Sequence, residues 1–220
     1  MERIDHCLPW SHLGSERQIS VFRFGSGERK AYIQASLHAD ELPGMLVAHH
    51  LRPQLEAAER EGRLRGQVVL VPAANPIGLT QRLNHRAMGR FEFGTSQNFN
   101  RHYPNLADAL FDELRDRLGP DPQANVALVR AAATRWLRDW RPATELDSLR
   151  RQLFLLAHDA DVVLDLHCDC AAAMHLYTGT PLWPQCEPLA RYIGAAATLL
   201  AEESGDNPFD EACSQLWWQL

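Results

Sequence analysis

Two histidines and a glutamate follow apolar runs that are typical of buried β-strands. His38 and Glu41 come just after Ala31–Leu37. His167 comes directly after a second such run, Asp161–Leu166. Side chains at the exits of neighbouring buried strands lie on a rigid floor and can converge on one point. Two imidazoles and one carboxylate form a set that holds catalytic zinc and leaves a fourth position for water. The sequence therefore predicts one Zn²⁺ per chain.

Acidic residues beside these histidines are candidates to hold an imidazole N–H and so to orient the ring. Asp165 precedes His167 by two residues, and Asp40 follows His38 by two. For both aspartates, a role at the surface or at a helix cap fits the sequence equally well.

A long polar segment, Asn75–Asn105, separates the two strand exits and is too long for a simple connection. Within it, Asn100 and Arg101 stand side by side. Arginine offers a planar fork that fits a carboxylate, and asparagine adds a neutral donor. Both side chains can meet one ligand only if the chain is kinked there. A solvated basic loop explains this pair equally well, because the segment contains three further arginines: Arg82, Arg86 and Arg90.

Composition and charge exclude several classes of partner. The 220 residues carry a formal net charge of −6 and no basic run, so neither nucleic acid nor an anionic membrane is expected. No apolar run is long enough to cross a membrane, and the N-terminus lacks the apolar core of a signal peptide. The five cysteines form no disulfide-like framework. We predict a cytoplasmic protein with a small-molecule carboxylate substrate; the oligomeric state is left open.

Strand patterns alternate with helix patterns, which is typical of a layered α/β domain. Residues 1–16 are predicted to be irregular. The predicted strands are Gln18–Phe24, Ala31–Leu37, Gln67–Pro72, Asp161–Leu166 and Met174–Tyr177. The predicted helices are Leu42–Arg60, Leu106–Leu118, Gln123–Trp140, Glu145–His158 and Glu187–Glu203.

The order and spacing of five motifs resemble the succinylglutamate desuccinylase/aspartoacylase family of the zinc carboxypeptidase superfamily. The motifs are His38-x-x-Glu41, Asn75-Pro76, Arg90-Phe91, Asn100-Arg101-x-Tyr103-Pro104 and Asp165-Leu-His167. The resemblance implies a three-layer α/β/α sandwich with a mixed, mostly parallel sheet. It also implies zinc on His38, Glu41 and His167, and a substrate carboxylate held by Asn100 and Arg101. Arg90 would assist the scissile carbonyl, with Arg86 as the alternative.

One feature of the family has no counterpart here. Its general base is a glutamate on a strand well past the third zinc ligand, which would fall beyond Leu220. Glu202 and Glu203 come too early and lie in a helical pattern. The final segment, Glu211–Leu220, resembles the middle of a helix. We therefore expect residues 1–220 to form a catalytic domain that is incomplete at its C-terminus, and whether it is active alone stays open.

Four readings of the site are compatible with these residues. The favoured one is a zinc-dependent hydrolase that cleaves the amide bond of an N-acyl amino acid or a similar small carboxylate. A metallocarboxypeptidase acting on peptides is the second, and a zinc-dependent carboxylate-binding module without catalysis is the third. A thiolate site on Cys168 and Cys170 is disfavoured, because alternation along a strand puts both on the face opposite His167.

Overall fold

A five-stranded mixed sheet forms the centre of the computed structural model, which describes residues 1–11 and 13–220. The described residues form nine strands: β1 (Glu2–Cys7), β2 (Gln18–Phe24), β3 (Lys30–Ala35), β4 (Gln67–Val71), β5 (Arg82–Leu83), β6 (Arg86–Ala87), β7 (Val162–Leu166), β8 (His175–Gly179) and β9 (Ala197–Ala201). They also form six α-helices: α1 (Leu42–Arg60), α2 (Leu106–Leu114), α3 (Pro122–Asp139), α4 (Glu145–Ala157), α5 (Trp183–Tyr192) and α6 (Phe209–Trp218).

The strands of the central sheet lie in the order β1-β2-β4-β3-β7. β1 pairs antiparallel with β2, and β2 pairs antiparallel with β4. β3 lies between β4 and β7 and is parallel to both. Two small sheets stand apart from it: the antiparallel pair β5–β6 and the parallel pair β8–β9.

Helices cover both faces of the central sheet. Because side chains alternate along a strand, β2, β3 and β4 each contribute to two apolar clusters. On one face, Phe22 and Leu70 pack with Ala48 of α1. On the other face, Tyr32 and Val69 join a larger cluster that includes residues of α2, α3, α4 and α6. The predicted α/β sandwich with a mixed sheet is thus confirmed.

The parallel strands β3 and β7 end level with each other. In their register Gln34 lies beside Asp165 and Ala35 beside Leu166, so the segments that follow both strands leave the sheet at one edge. Helix α1 begins directly above this edge. A Cβ at Gly44 would stand 2.9 Å from the carbonyl oxygen of Leu166, so the absent side chain lets the first turn of α1 approach both strand ends.

Two predictions about secondary structure are wrong. Residues 1–16 are not irregular throughout, because Glu2–Cys7 forms β1 at the edge of the sheet. The predicted helix Glu187–Glu203 is divided: α5 ends at Tyr192, Gly194 has φ of 68°, and Ala197–Ala201 forms β9. The left-handed conformation of this glycine ends the helix, and pairing with β8 overrides the helix propensity of alanine and leucine.

Within residues 1–11 and 13–220, no helix is both long and apolar enough for a membrane span. All five cysteines are free thiols.

The contact between Gly89 and the Ala39–Asp40 backbone provides a test of how tightly the segment around Gly89 packs against the turn that follows β3. A Cβ at Gly89 would lie 2.2 Å from the Asp40 nitrogen and 2.7 Å from the Ala39 carbonyl carbon. We expect Gly89→Ala to lower the free energy of unfolding by about 1–3 kcal/mol, because the backbone must move. Urea denaturation measures this change.

Gly119→Ala is the matched control, since nothing lies within 4 Å of a Cβ placed there. We expect that variant to stay within about 0.5 kcal/mol of the parent chain. Equal stability of the two variants would contradict the tight packing of Gly89.

Candidate metal site and substrate loop

The three predicted metal ligands meet at one edge of the sheet. His38 lies on the turn after β3, Glu41 is the N-cap residue of α1, and His167 directly follows β7. One ligand atom from each of the three lies within 4.8 Å of the others. The imidazole rings of His38 and His167 stand 4.9 Å apart, centroid to centroid, at 68°. The structure therefore brings together residues that are more than a hundred positions apart in the chain.

The Glu41 carboxylate is the centre of this cluster. Its Oε1 lies 2.9 Å from Nδ1 of His38, and its Oε2 lies 2.9 Å from Nδ1 of His167. The backbone N–H of Cys168 donates to Oε2 at 2.9 Å. Burial opposes ionisation of this carboxylate, but the hydrogen bonds from the two histidines and Cys168 outweigh it and hold the Glu41 pKa far below its usual range.

The His38 ring is oriented by Asn98. Nε2 of His38 lies 2.8 Å from Oδ1 of Asn98. The same oxygen accepts the backbone N–H of Asn100 at 2.8 Å, which identifies that atom as the acceptor end of the amide. This oxygen therefore holds the Nε2 side of the His38 ring. The other ring nitrogen, Nδ1, faces Glu41.

Asp165 plays the corresponding part for His167. Its Oδ2 accepts from Nε2 of His167 at 2.9 Å, and Nδ1 of the ring faces Glu41. Burial alone would lower the His167 pKa, but the carboxylates of Asp165 and Glu41 dominate and raise it to about 11. Of the two aspartates considered from the sequence, Asp40 is exposed and His38 is held by Asn98 instead.

This donor set fits a transition-metal cation. Two Nδ1 atoms and a carboxylate face one point, and each imidazole has its other nitrogen held by an acceptor, as metal-binding histidines usually do. Nitrogen donors suit Zn²⁺ better than Mg²⁺ or Ca²⁺, which prefer oxygen ligands. His38, Glu41 and His167 would hold the ion.

The long polar segment 75–105, the candidate substrate loop, approaches this site through Asn100. Its Oδ1 accepts the backbone N–H of Phe209 at the start of α6, at 2.8 Å. Its amide nitrogen is therefore turned toward Nε2 of His167, 3.4 Å away. Because that Nε2–H already donates to Asp165, the contact joins two donors and leaves the Asn100 amide without an acceptor there. An incoming carboxylate would supply one.

The chain is kinked at Asn100 and Arg101, as binding of one ligand by both side chains would require. Residues 99–101 form a turn and a bend, stabilised by the Asn98 side chain, and His102 has a positive φ of 59°. Arg101 follows the turn and donates to the carbonyl of Asn100 at 2.6 Å. The structure thus places Arg101 beside Asn100, with its guanidinium on a loop carbonyl.

Arg90 reaches the cluster, whereas the alternative Arg86 does not. Nη2 of Arg90 donates to Oε1 of Glu41 at 2.7 Å, and its side chain is 46% exposed. Arg86 lies on the exposed strand β6. The thiolate reading finds no support: burial, with Glu41 nearby, raises the pKa of the Cys168 thiol, and the one cluster of metal-ligating groups in the described part of the chain contains no cysteine.

Sequence reasoning missed two residues that support the ligands. Asn98 precedes the recognised Asn100-Arg101 pair by two positions, and Arg150 of α4 donates to the Asn98 carbonyl at 3.3 Å. Asn75, by contrast, belonged to a recognised motif. Its buried amide donates to the carbonyl of Leu37 at 2.8 Å and so braces the chain just before His38.

Comparisons with known proteins agree with this geometry. Residues 28–210 match the family model of the succinylglutamate desuccinylase/aspartoacylase catalytic domain. No curated protein matches significantly. Among solved structures, a protein assigned to this family from Shewanella amazonensis SB2B is 30% identical to this chain, with a TM-score of 0.84. The match covers 100% of this chain and 60% of the length of that protein.

Two further structures show the same likeness. One from Shewanella frigidimarina NCIMB 400 is 25% identical with a TM-score of 0.84 over 100% of this chain and 59% of its own. One from Rhodobacter sphaeroides, 15% identical with a TM-score of 0.60 over 97% of this chain and 55% of its own, shares the fold. The chain thus spans about 60% of the length of the first two relatives. It belongs to the succinylglutamate desuccinylase/aspartoacylase family.

Proposed function

We propose that this chain is the catalytic domain of a zinc-dependent hydrolase that cleaves the amide bond of an N-acyl amino acid or a similar small carboxylate. Membership of the family supports hydrolysis of amides. The observation that carries the proposal of zinc is the convergence of His38, Glu41 and His167 within 4.8 Å. When bound, Zn²⁺ supplies a Lewis acid that polarises a carbonyl and lowers the pKa of water toward about 7.

The substrate loop would orient the substrate. The Asn100 amide and the Arg101 guanidinium would bind its carboxylate, since a planar fork beside a neutral donor matches the two oxygens. In this role Arg101 would exchange the Asn100 carbonyl for the substrate carboxylate. This grip would bring the amide bond to the edge of the sheet where the ligands lie.

Arg90 would bind the oxygen of the scissile carbonyl as negative charge develops on it. Its guanidinium already lies 2.7 Å from a carboxylate oxygen of the cluster, and the side chain is partly exposed to solvent. Such a donor stabilises the transition state more than the substrate. Hydrolysis adds the water oxygen to the acyl carbon and breaks the C–N bond, and the amine nitrogen takes a proton.

We assign no general base among the described residues. The family resemblance implies a glutamate for this task, in the part of the relatives' length that this chain does not span. The cytoplasmic setting and the absence of nucleic-acid and membrane partners stay predictions.

The first test is the metal content. We expect about one Zn²⁺ per chain by atomic absorption after dialysis, and loss of that zinc in His167→Ala. Removal of a direct ligand should weaken binding by more than the ~10–100-fold that loss of an orienting partner costs. His175→Ala is the control, because this histidine lies on β8 and its ring contacts Tyr177. Stoichiometric zinc in His167→Ala would refute the ligand assignment.

The second test addresses the substrate. The full-length zinc-loaded protein should hydrolyse members of a panel of N-acyl amino acids, assayed beside peptides with a free C-terminus. Arg101→Lys should raise KM by about tenfold or more, because a charge-assisted hydrogen bond contributes about 1.5–3 kcal/mol.

Arg82→Lys provides the matched control, since Arg82 donates only to nearby loop carbonyls and is expected to leave KM unchanged. Turnover of peptides alone would replace the deacylase by a carboxypeptidase. Binding of N-acyl amino acids without any turnover would instead support the non-catalytic module.

A further inference from the structure

Arg150 is a buried cation for which no catalytic or binding role has been described. It lies on α4, in the helical layer of the larger apolar cluster, and is 3% exposed. Its nearest carboxylate, Asp147, is 3.4 Å away and partly exposed, so this ion pair is long. Burying a guanidinium without a close partner is costly, and burial lowers the Arg150 pKa. A guanidinium buried in this position requires hydrogen-bond acceptors other than Asp147.

Those partners belong to the loop that carries the substrate-binding pair. Nη2 of Arg150 donates to the side-chain oxygen of Gln97 at 3.0 Å and to the backbone carbonyl of Asn98 at 3.3 Å. Two acceptors on consecutive residues are thus held by one guanidinium nitrogen. The backbone of this segment is therefore attached directly to α4.

Asn98 connects this segment to the candidate metal site. Its side-chain oxygen accepts from Nε2 of His38 and from the backbone N–H of Asn100, both at 2.8 Å. A shift of the Asn98 backbone would break both contacts at once. The His38 ring would then lose the contact that fixes its orientation toward Glu41 and His167.

We propose that Arg150 is a positioning residue for the metal site. By holding Gln97 and Asn98 against α4, it keeps Asn98 in contact with Nε2 of His38 and so holds the His38 ring with Nδ1 toward Glu41 and His167. The inference rests on the proposed function, because it assumes that the cluster binds zinc. The hydrogen bonds of Arg150 go to Asp147, Gln97 and Asn98, and none goes to His38, Glu41 or His167.

The neighbouring Arg151 offers a matched comparison. It has the same side chain on the same helix and also donates to backbone carbonyls, those of Leu137 and Arg138 on α3. Its partners have no described contact with the substrate loop. Loss of either arginine therefore removes helix-to-backbone hydrogen bonds, but only loss of Arg150 frees Asn98.

The experiment measures zinc affinity of the purified chain by competition with a chromophoric chelator. We expect Arg150→Met to weaken zinc binding by about 10–100-fold, the usual cost of losing an orienting partner. Arg150→Lys, which keeps the charge but loses the fork, should weaken it by about tenfold or more. Arg151→Met should bind zinc as the parent chain does, even if both methionine variants unfold at lower urea concentrations.

Asn98 variants test the intermediate link. Asn98→Leu removes the acceptor at similar size and should match the loss in Arg150→Met, whereas Asn98→Asp keeps an acceptor and should retain zinc. The double variant Arg150→Met/Asn98→Leu should lose little more than either single variant, since both act through one contact.

Two results would overturn the inference while leaving the proposed function intact. One is a folded Arg150→Met that binds zinc as tightly as the parent chain. The other is an equal loss of affinity in Arg151→Met, which would show a general effect of stability. Should Arg150→Met fail to fold, Arg150→Lys decides by the same comparison. Failure of the parent chain to bind zinc would remove the proposed function and the inference together.

Discussion

A single buried carboxylate, Glu41, is the interaction on which the rest of the site depends. Each of its oxygens accepts from one imidazole, and the remaining contacts come from Arg90 and the backbone of Cys168. A buried charge is tolerated only where its hydrogen-bonding capacity is met. The turn after β3, the start of α1 and the exit of β7 must therefore stay in place together.

The two histidines around this carboxylate are held by partners of different charge. His167 donates to the carboxylate of Asp165, which raises its basicity, whereas His38 donates to the neutral amide of Asn98. The amide orients the ring without adding negative charge.

The three clustered residues, His38, Glu41 and His167, were predictable because their signal is local. Buried parallel strands read as continuous apolar runs, and the residue types that follow them are visible in the sequence, as for His38 and His167. The support of the ligands was not predictable in the same way. Arg150 and Asn98 are separated by 52 positions, and neither belongs to a spacing that indicates their contact.

The errors in secondary structure have a similar origin. β1 has a mixed, largely exposed composition, and its pairing with β2 defines it more than its own pattern does. β9 is built from residues that favour helices in isolation and becomes a strand by pairing with β8. In both cases the deciding interaction is with a distant segment. The exception was Gly194, whose residue type alone was a visible sign that the helix would end.

The pairing of Ala35 with Leu166 has a consequence for folding. A slip of β7 by one residue would displace His167 by about 3.3 Å and turn its side chain to the opposite face. Misaligned chains would then lack a complete ligand set. A cation that binds only the complete set would stabilise the correctly aligned sheet by mass action and leave every misaligned alternative unaided. Metal binding would thus favour the correct register of β7 against β3, in addition to any part that the metal plays in chemistry.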